Sequence, residues 1–251
     1  MSTEATPTTI RTATPADAAA ATAVLVASFL DGPIADWLIP DRDTRRAVYQ
    51  RCFAVVVDHA LAHGVIHTTP DLDAVALWYP MLEPLAEDPD LDARLADAAG
   101  EHIGRYLLKL TATAGHHPTA PHHHLAFLGV HPDRQTRGLG SRLLNTHHHA
   151  LDTAGTPAYL EATSQRNRAL YLRHGYRSAD PVVLPDGGPP MWPMWRPPAA
   201  APDRQDLAEA IHRAAERAGI PHGAVVTDRE SGLVFFGGID DMPDDLRQQT
   251  R

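Results

Sequence analysis

Two stretches of the chain carry residue types at spacings suited to chemistry. Residues 130–141 read Val-His-Pro-Asp-Arg-Gln-Thr-Arg-Gly-Leu-Gly-Ser, between an apolar run that reads as a strand and a segment that reads as a helix. A strand that stops, a glycine-containing turn and a helix that starts make an anion site, because first-turn N–H groups have no acceptor within the helix and the helix dipole favours negative charge. Gly138 and Gly140 allow close backbone approach and positive φ, while Arg134 and Arg137 can add charge-assisted contacts. The same letters also describe an ordinary turn with no ligand. In the second stretch, Asn167 and Tyr171 are four residues apart and share one face of a short helix that Gly175 ends.

The remaining reactive side chains read more quietly. Cys52 is the only cysteine, which excludes an intrachain disulfide, and its setting on an apolar helix face reads as a buried structural thiol. Sixteen histidines include clusters at 116–117 with 122–124 and at 147–149. Neighbouring residues on a strand face opposite ways, and three in a row on a helix fan over about 200°, so neither run gathers on one ion. No metal is expected, and these histidines read as solvated or packed. Trp37, Trp78 and Tyr79 are compatible with an acceptor pocket but fit a core equally well.

Elements that would position these groups alternate between strand and helix. Residues 10–14 read as a strand, with Thr14 as N-cap and Pro15 opening a helix that the Asp-Gly-Pro at 31–33 stops. A helix over 43–62 ends at Gly64, and strands over 65–69 and 74–79 form a hairpin. A helix over 91–113, weakened by Gly100 and Gly104, precedes a strand over 124–130, a helix over 138–153, a strand over 157–162, a helix over 167–174 and a strand pair over 176–184 and 191–195. This is an α/β pattern. The domain expected over 1–198 is followed by a Pro/Ala linker at 199–202 and an extension over 203–251, read as an amphipathic helix over 203–218 and a hairpin over 224–227 and 233–236. So small a unit has little core, which motivates packing on the main domain or a homodimer.

Composition narrows the partners. The formal charge of −9 argues against nucleic acid and suits a cationic substrate. No apolar run is long enough to cross a bilayer and no basic-then-apolar leader opens the chain, so neither a membrane partner nor export is expected and a cytoplasmic location follows.

The two chemical stretches together resemble the GNAT superfamily of N-acetyltransferases. Gln135, Gly138 and Gly140 match its Gln/Arg-x-x-Gly-x-Gly/Ala acetyl-CoA motif, and Asn167, Tyr171, Gly175 and Tyr176 match its later Asn-x-x-x-Tyr-x-x-x-Gly-Phe/Tyr element. The resemblance implies a mixed sheet with helices on both faces, splayed between its fourth and fifth strands, and acetyl-CoA as cosubstrate in the wedge. It further implies that the backbone of Leu128, Gly129 and Val130 holds the pantetheine arm, and that Gln135, Thr136, Arg137, Gly138, Leu139, Gly140 and Ser141 hold the pyrophosphate. Asn167 would contact the cosubstrate, and Tyr171 would face the thioester sulfur and protonate the leaving thiol. Reference pKa values of about 10 and about 8.5 make full transfer to the thiolate uphill by roughly 2 kcal/mol, so a strong hydrogen bond or late donation is expected.

The base is open at this level. Glu161, in the strand beside the wedge, reads equally as a catalytic carboxylate whose pKa burial raises towards neutrality or as a buried structural partner of an arginine. A water relay is the alternative, and His131 and His124 are weaker candidates. Within the superfamily, residues 128–135, 160–162 and 28–33 are similar to puromycin N-acetyltransferase-like enzymes, which implies a primary amine on a small molecule as acceptor. Acetylation of a protein or peptide amino group, and a non-catalytic acyl-CoA-binding module, are the competing readings.

Overall fold

A computed structural model describes residues 9–83, 88–199, 225–227 and 234–236, and the chain divides into two units, Met1–Ala199 and Ala200–Arg251. The first runs β1 (Arg11–Thr12), α1 (Ala18–Phe29), α2 (Pro33–Leu38), α3 (Arg42–His63), β2 (Val65–Thr68), β3 (Ala74–Met81), α4 (Pro89–Ala99), α5 (Ile103–Ala114), β4 (His122–Val130), α6 (Leu139–Ala154), β5 (Ala158–Ala162), α7 (Gln165–Arg173), β6 (Arg177–Ser178), β7 (Val182–Val183) and β8 (Pro190–Arg196). In the second, β9 (Val225–Thr227) pairs antiparallel with β10 (Val234–Phe236), while the helix expected over 203–218 lies outside the described residues. No described helix is long and apolar enough to cross a membrane.

Alternation along the strands builds two cores, one on each face of the sheet. Val75 and Leu77 of β3 join Val24 and Leu25 of α1 and Val48, Phe53 and Val57 of α3, whereas Ala74, Ala76 and Trp78 join Leu143, Leu144 and Leu151 of α6. Each fully buried leucine contributes about 1.5–3 kcal/mol relative to exposure. The sheet order is β1-β2-β3-β4-β5-β8-β6, with β7 on β8. All pairings are antiparallel except β4 with β5, which makes the sheet mixed.

That parallel pair is also where the sheet opens. Although β4 has nine residues, only His123 and His124 pair with β5, opposite Ala158 and Tyr159. Beyond them the strands diverge, leaving a slot between Leu125 and Val130 on one side and Leu160 to Ala162 on the other. The register of β4 against β3 slips by one residue here, Leu77 opposing Phe127 and Trp78 opposing Leu125, so Ala126 is bulged. One extra residue flips the face of everything after it. Leu125, Leu128 and Val130 therefore all face α6, and Phe127 and Gly129 face α1 and α3. A Cβ on Gly129 would lie 3.0 Å from Ser28 Oγ and 3.2 Å from Leu25, so its missing side chain lets α1 seat directly on β4.

Several local expectations need correction. The helix expected over 91–113 is two, α4 and α5, separated by a tight turn at Gly100–His102. Gly32-Pro33, read as a stop, also starts α2, because proline fits the first helical position. The strand expected over 176–184 is two short strands, β6 and β7, with Pro181 between them lacking a ladder donor. Arg45, on the inner face of α3, is 1% exposed and donates to the carbonyls of Leu30, Ile39 and Pro40 and to Asp36 Oδ1. A buried cation needs such partners, and here they tie down the whole connection from α1 through α2 to α3.

Candidate active site

The segment after β4 folds as a cradle of backbone N–H groups free of helical acceptors. Gly138 caps α6 in the left-handed region (φ 77°), and the first intrahelical bond runs from Arg142 N–H to Gly138 O at 3.1 Å. The N–H groups of Leu139, Gly140 and Ser141 are thus left without helical acceptors at the positive end of a 16-residue helix. Thr136 also has positive φ (63°), which costs a β-branched residue about 1–2 kcal/mol. Such strain concentrates where a loop is shaped for a ligand.

This cradle forms one end of a cleft of about 620 Å³ lined by Gln135, Thr136, Gly138, Leu139, Gly140 and Ser141, by Leu128 and Val130 at the slot, and by Asn167 and Tyr171 on α7. Ten of the twelve cofactor-binding candidates therefore meet on one surface. Gly129 and Arg137 do not line it: the bare face of Gly129 packs on α1, and the Arg137 side chain is exposed. Arg134 lines the cleft but is held by Asp73, Nε to Oδ2 at 3.2 Å. Gln135 turns its amide back to donate to Val130 O at 3.3 Å, fastening the loop to the end of β4.

Residues not singled out in the sequence complete the walls. Arg166, Leu170 and Arg173 line the cleft beside Asn167. Their helical spacing was a visible signal, since they share the α7 face already credited to Asn167 and Tyr171. Ser164 caps that helix by accepting from Asn167 N–H at 3.1 Å. Ser28, Phe29 and the turn into α2 form the opposite wall, with Tyr49 of α3 behind them. The resemblance picks out residues 28–33 without placing them in the site, and Tyr49 has no motif to reveal it.

Tyr171 is 7% exposed, stands edge-on to Tyr176 with ring centroids 5.7 Å apart, and has no hydrogen-bond partner for its hydroxyl among the described residues. Desolvation raises its pKa well above the usual 10. The phenol accordingly stays protonated across the working pH range and suits a hydrogen-bond donor better than a free acid.

Glu161 departs from expectation. Strand alternation places it opposite Leu160 and Ala162, on the far face of β5 from Tyr171, and it does not line the cleft. Tyr159 OH donates to its Oε1 at 3.0 Å, and His124 Nε2 stands 3.3 Å from its Oε2. Burial pushes its pKa up, but His124, Lys109 and the Tyr159 hydroxyl outweigh burial and bring it down to about 2. The carboxylate is thus held ionised, not raised towards neutrality, and its partners are a histidine, a lysine and a tyrosine, with no arginine among them.

The histidine clusters pack against neighbouring side chains. His147 lies on Trp78 at 4.0 Å between centroids, with one ring nitrogen 3.0 Å from His67 Nε2 and the other 3.0 Å from His123 Nδ1. His148 Nε2 meets Tyr176 OH at 3.1 Å. Trp78 is fully buried there, Tyr79 contacts His59, and Trp37 donates to Pro185 O at 3.1 Å, so none of the three aromatics lines the cleft. Cys52 is buried and burial raises its thiol pKa, which makes it inert.

With this geometry in hand, comparison with known proteins is specific. Residues 95–178, from α4 to β6, match the model of the acetyltransferase (GNAT) domain. A solved structure from Corynebacterium glutamicum ATCC 13032, described as histone acetyltransferase HPA2 and related acetyltransferase, is 30% identical, with 77% of this chain and 97% of that chain covered and a TM-score of 0.57. Arylalkylamine N-acetyltransferase 2 from Aedes aegypti shares the fold at 13% identity, covering 75% of this chain and 98% of that chain with a TM-score of 0.52.

Proposed function

This chain belongs to the GNAT acetyltransferases, which are acyltransferases, and from that premise we propose that it transfers an acetyl group from acetyl-CoA to a primary amine of a small molecule, with Tyr171 as general acid. The observation that carries the reading is the cleft itself. It joins the free N–H groups of α6, the unpaired edge of β4 and the Tyr171 phenol in one space of about 620 Å³.

Each part has a task. Leu139 to Ser141 and the left-handed Gly138 fit a diphosphate, because their amides are free and no Cβ on Gly138 stands in front of them. Arg166 and Arg173 add positive charge to the same wall. The backbone of β4 beyond His124 has given up its parallel partner, so its polar groups are available to a bound amide chain and to a thioester oxygen. Bound acetyl-CoA supplies the activated acyl group. The Tyr171 hydroxyl, desolvated and unpartnered, donates to the departing sulfur. The group that takes the amine proton belongs to the other face of β5, where Glu161 and its partners lie.

A small-molecule acceptor of the puromycin N-acetyltransferase-like kind is supported by residues 28–33, whose likeness to those enzymes falls on the cleft wall. A protein or peptide acceptor is the second reading, favoured by the description of the Corynebacterium glutamicum relative. Thiol release from acetyl-CoA with a panel of small amines and of peptides separates them: turnover confined to peptides reverses the preference. Tyr171→Phe should lower kcat about 10²–10³-fold with coenzyme A affinity within about threefold. An unaltered rate would remove Tyr171 from the chemistry.

A further inference from the structure

Resting on the acetyl-transfer reading, we infer that the acceptor is a monoamine on an apolar body with no second positive charge. Tyr49 hydrogen-bonds that body, and Arg42 excludes dicationic amines by occupying the one carboxylate that faces the cleft. With the diphosphate on the α6 end, the acceptor is left the opposite wall, formed by Phe29, Ile34 and Ala35 with Tyr49 of α3. The side chains of these four are hydrocarbon apart from the Tyr49 hydroxyl. Such a wall favours apolar surface and penalises an unpaired ammonium.

The formal charge of −9 does not reach this surface. Asp31 is the only carboxylate among the described residues that line the cleft, and Arg42 holds both its oxygens, Nε to Oδ1 at 2.8 Å and Nη2 to Oδ2 at 3.1 Å. Those bonds lower the Asp31 pKa and commit its negative charge to Arg42 in place of a ligand. Asp36, the next acid of the turn, accepts from Arg45 at 2.7 Å. Arg42 and Arg45 lie one turn apart on α3, so a single helix face neutralises both acids. The other charged residues lining the cleft are Arg134, held by Asp73, and Arg166 and Arg173. A second ammonium on the acceptor therefore finds like charge and no free counter-charge.

One polar group on the wall is left for a ligand. Tyr49 is 5% exposed, and its hydroxyl has no hydrogen-bond partner among the described residues. The side-chain polar atoms that are both sealed and unpartnered there are Trp78 Nε1, His117 Nε2 and His122 Nε2, so the Tyr49 hydroxyl keeps an opening to the cleft it lines. The Arg45 guanidinium, one turn earlier, is already taken by Asp36 and by three carbonyls. Burial raises the Tyr49 pKa, so the phenol stays protonated and can both donate and accept. Ser28 Oγ, the other hydroxyl of this wall, donates to Val24 O at 2.7 Å and can only accept. A buried hydroxyl without a partner is costly, and a polar group on the acceptor body removes that cost.

The test follows thiol release from acetyl-CoA by the full chain with phenethylamine, tyramine, agmatine and spermidine. Wild-type kcat/KM for the two aromatic monoamines should exceed that for agmatine and spermidine about 10²-fold. Tyr49→Phe should raise KM for tyramine about tenfold with kcat within about threefold, and leave KM for phenethylamine within about twofold. Arg42→Ala, which frees Asp31, should raise kcat/KM for agmatine about tenfold, whereas Arg42→Lys should not. A wild type that prefers agmatine or spermidine overturns the inference. So does a Tyr49→Phe variant that affects both aromatic amines alike, or an Arg42→Ala variant with an unchanged ratio of agmatine to phenethylamine. If none of the four is turned over, calorimetry of each on the coenzyme A complex reads the same ratios. Coenzyme A binding with no amine bound overturns this inference alone, whereas no coenzyme A binding removes the acetyl-transfer reading beneath it.

Discussion

His123 and His124 are neighbours in the chain yet belong to different regions, because successive strand residues face opposite ways. His123 points under α6 and meets His147, which in turn meets His67 and lies on Trp78. Every partner there is an imidazole or an indole. Three neutral rings can pass donor and acceptor roles along the line and satisfy one another, so this region braces β2, β4 and α6. His124 points to the other face and meets a carboxylate, which fixes its tautomer and leaves one lone pair open. The same side chain packs within a row of rings or pairs with a carboxylate according to the face it occupies.

Acid should separate the two regions most strongly. Burial, with the neighbouring imidazoles and Arg196 adding to it, lowers His147 and His148 to about 3 from an ordinary 6.5. Between those values the unfolded chain binds protons that the folded chain refuses, so stability is lost as pH falls below 6.5. On the order of 4 kcal/mol should disappear between pH 7 and pH 5, read from urea midpoints across that range. Glu161, lowered from 4.5 to about 2, withdraws its contribution only below pH 4.5. A midpoint unchanged to pH 5 would contradict the burial of neutral imidazoles at 147 and 148.

Next in size, His147→Leu should cost about 2–4 kcal/mol by stranding ring nitrogens on His67 and His123, with kcat of the folded enzyme within about threefold. Equal damage to kcat and to stability would erase the distinction between the faces. Gly129→Ala should cost about 1–2 kcal/mol, since its methyl meets Ser28 and Leu25 at 3.0–3.3 Å, and should weaken coenzyme A binding by moving β4. Smallest, Thr136→Gly should stabilise by about 0.5–1 kcal/mol if the strain at its positive φ exceeds the entropy a glycine adds. Destabilisation would mean that the threonine side chain supports the loop.

Much of the cradle and of α7 was legible before the fold, because their signals are local. Gly138 before a helix start, and Asn167 and Tyr171 one turn apart ahead of Gly175, act over a few residues, whereas the Ser164 cap was missed and α7 starts two residues earlier than expected. The break of the 91–113 helix and the existence of α2 were less legible, since glycine and proline both stop and start helices. Nothing in the sequence marked Arg45, whose guanidinium holds the cleft-lining connection through contacts up to 15 residues away.

The chain order alone determined that a glycine-containing turn leads from a strand into a helix after residue 130, that Tyr171 shares a face with Asn167, and that strands and helices alternate in an α/β pattern. These follow from backbone sterics and helical period. Only the folded structure decided which face Leu128 and Val130 present, because a single bulge at Ala126 resets the alternation. It also decided that Glu161 stays ionised and which histidine meets it. His124 is 37 residues from Glu161 and His67 is 80 from His147, and pKa depends on partners brought together across such distances, not on the letters beside a residue.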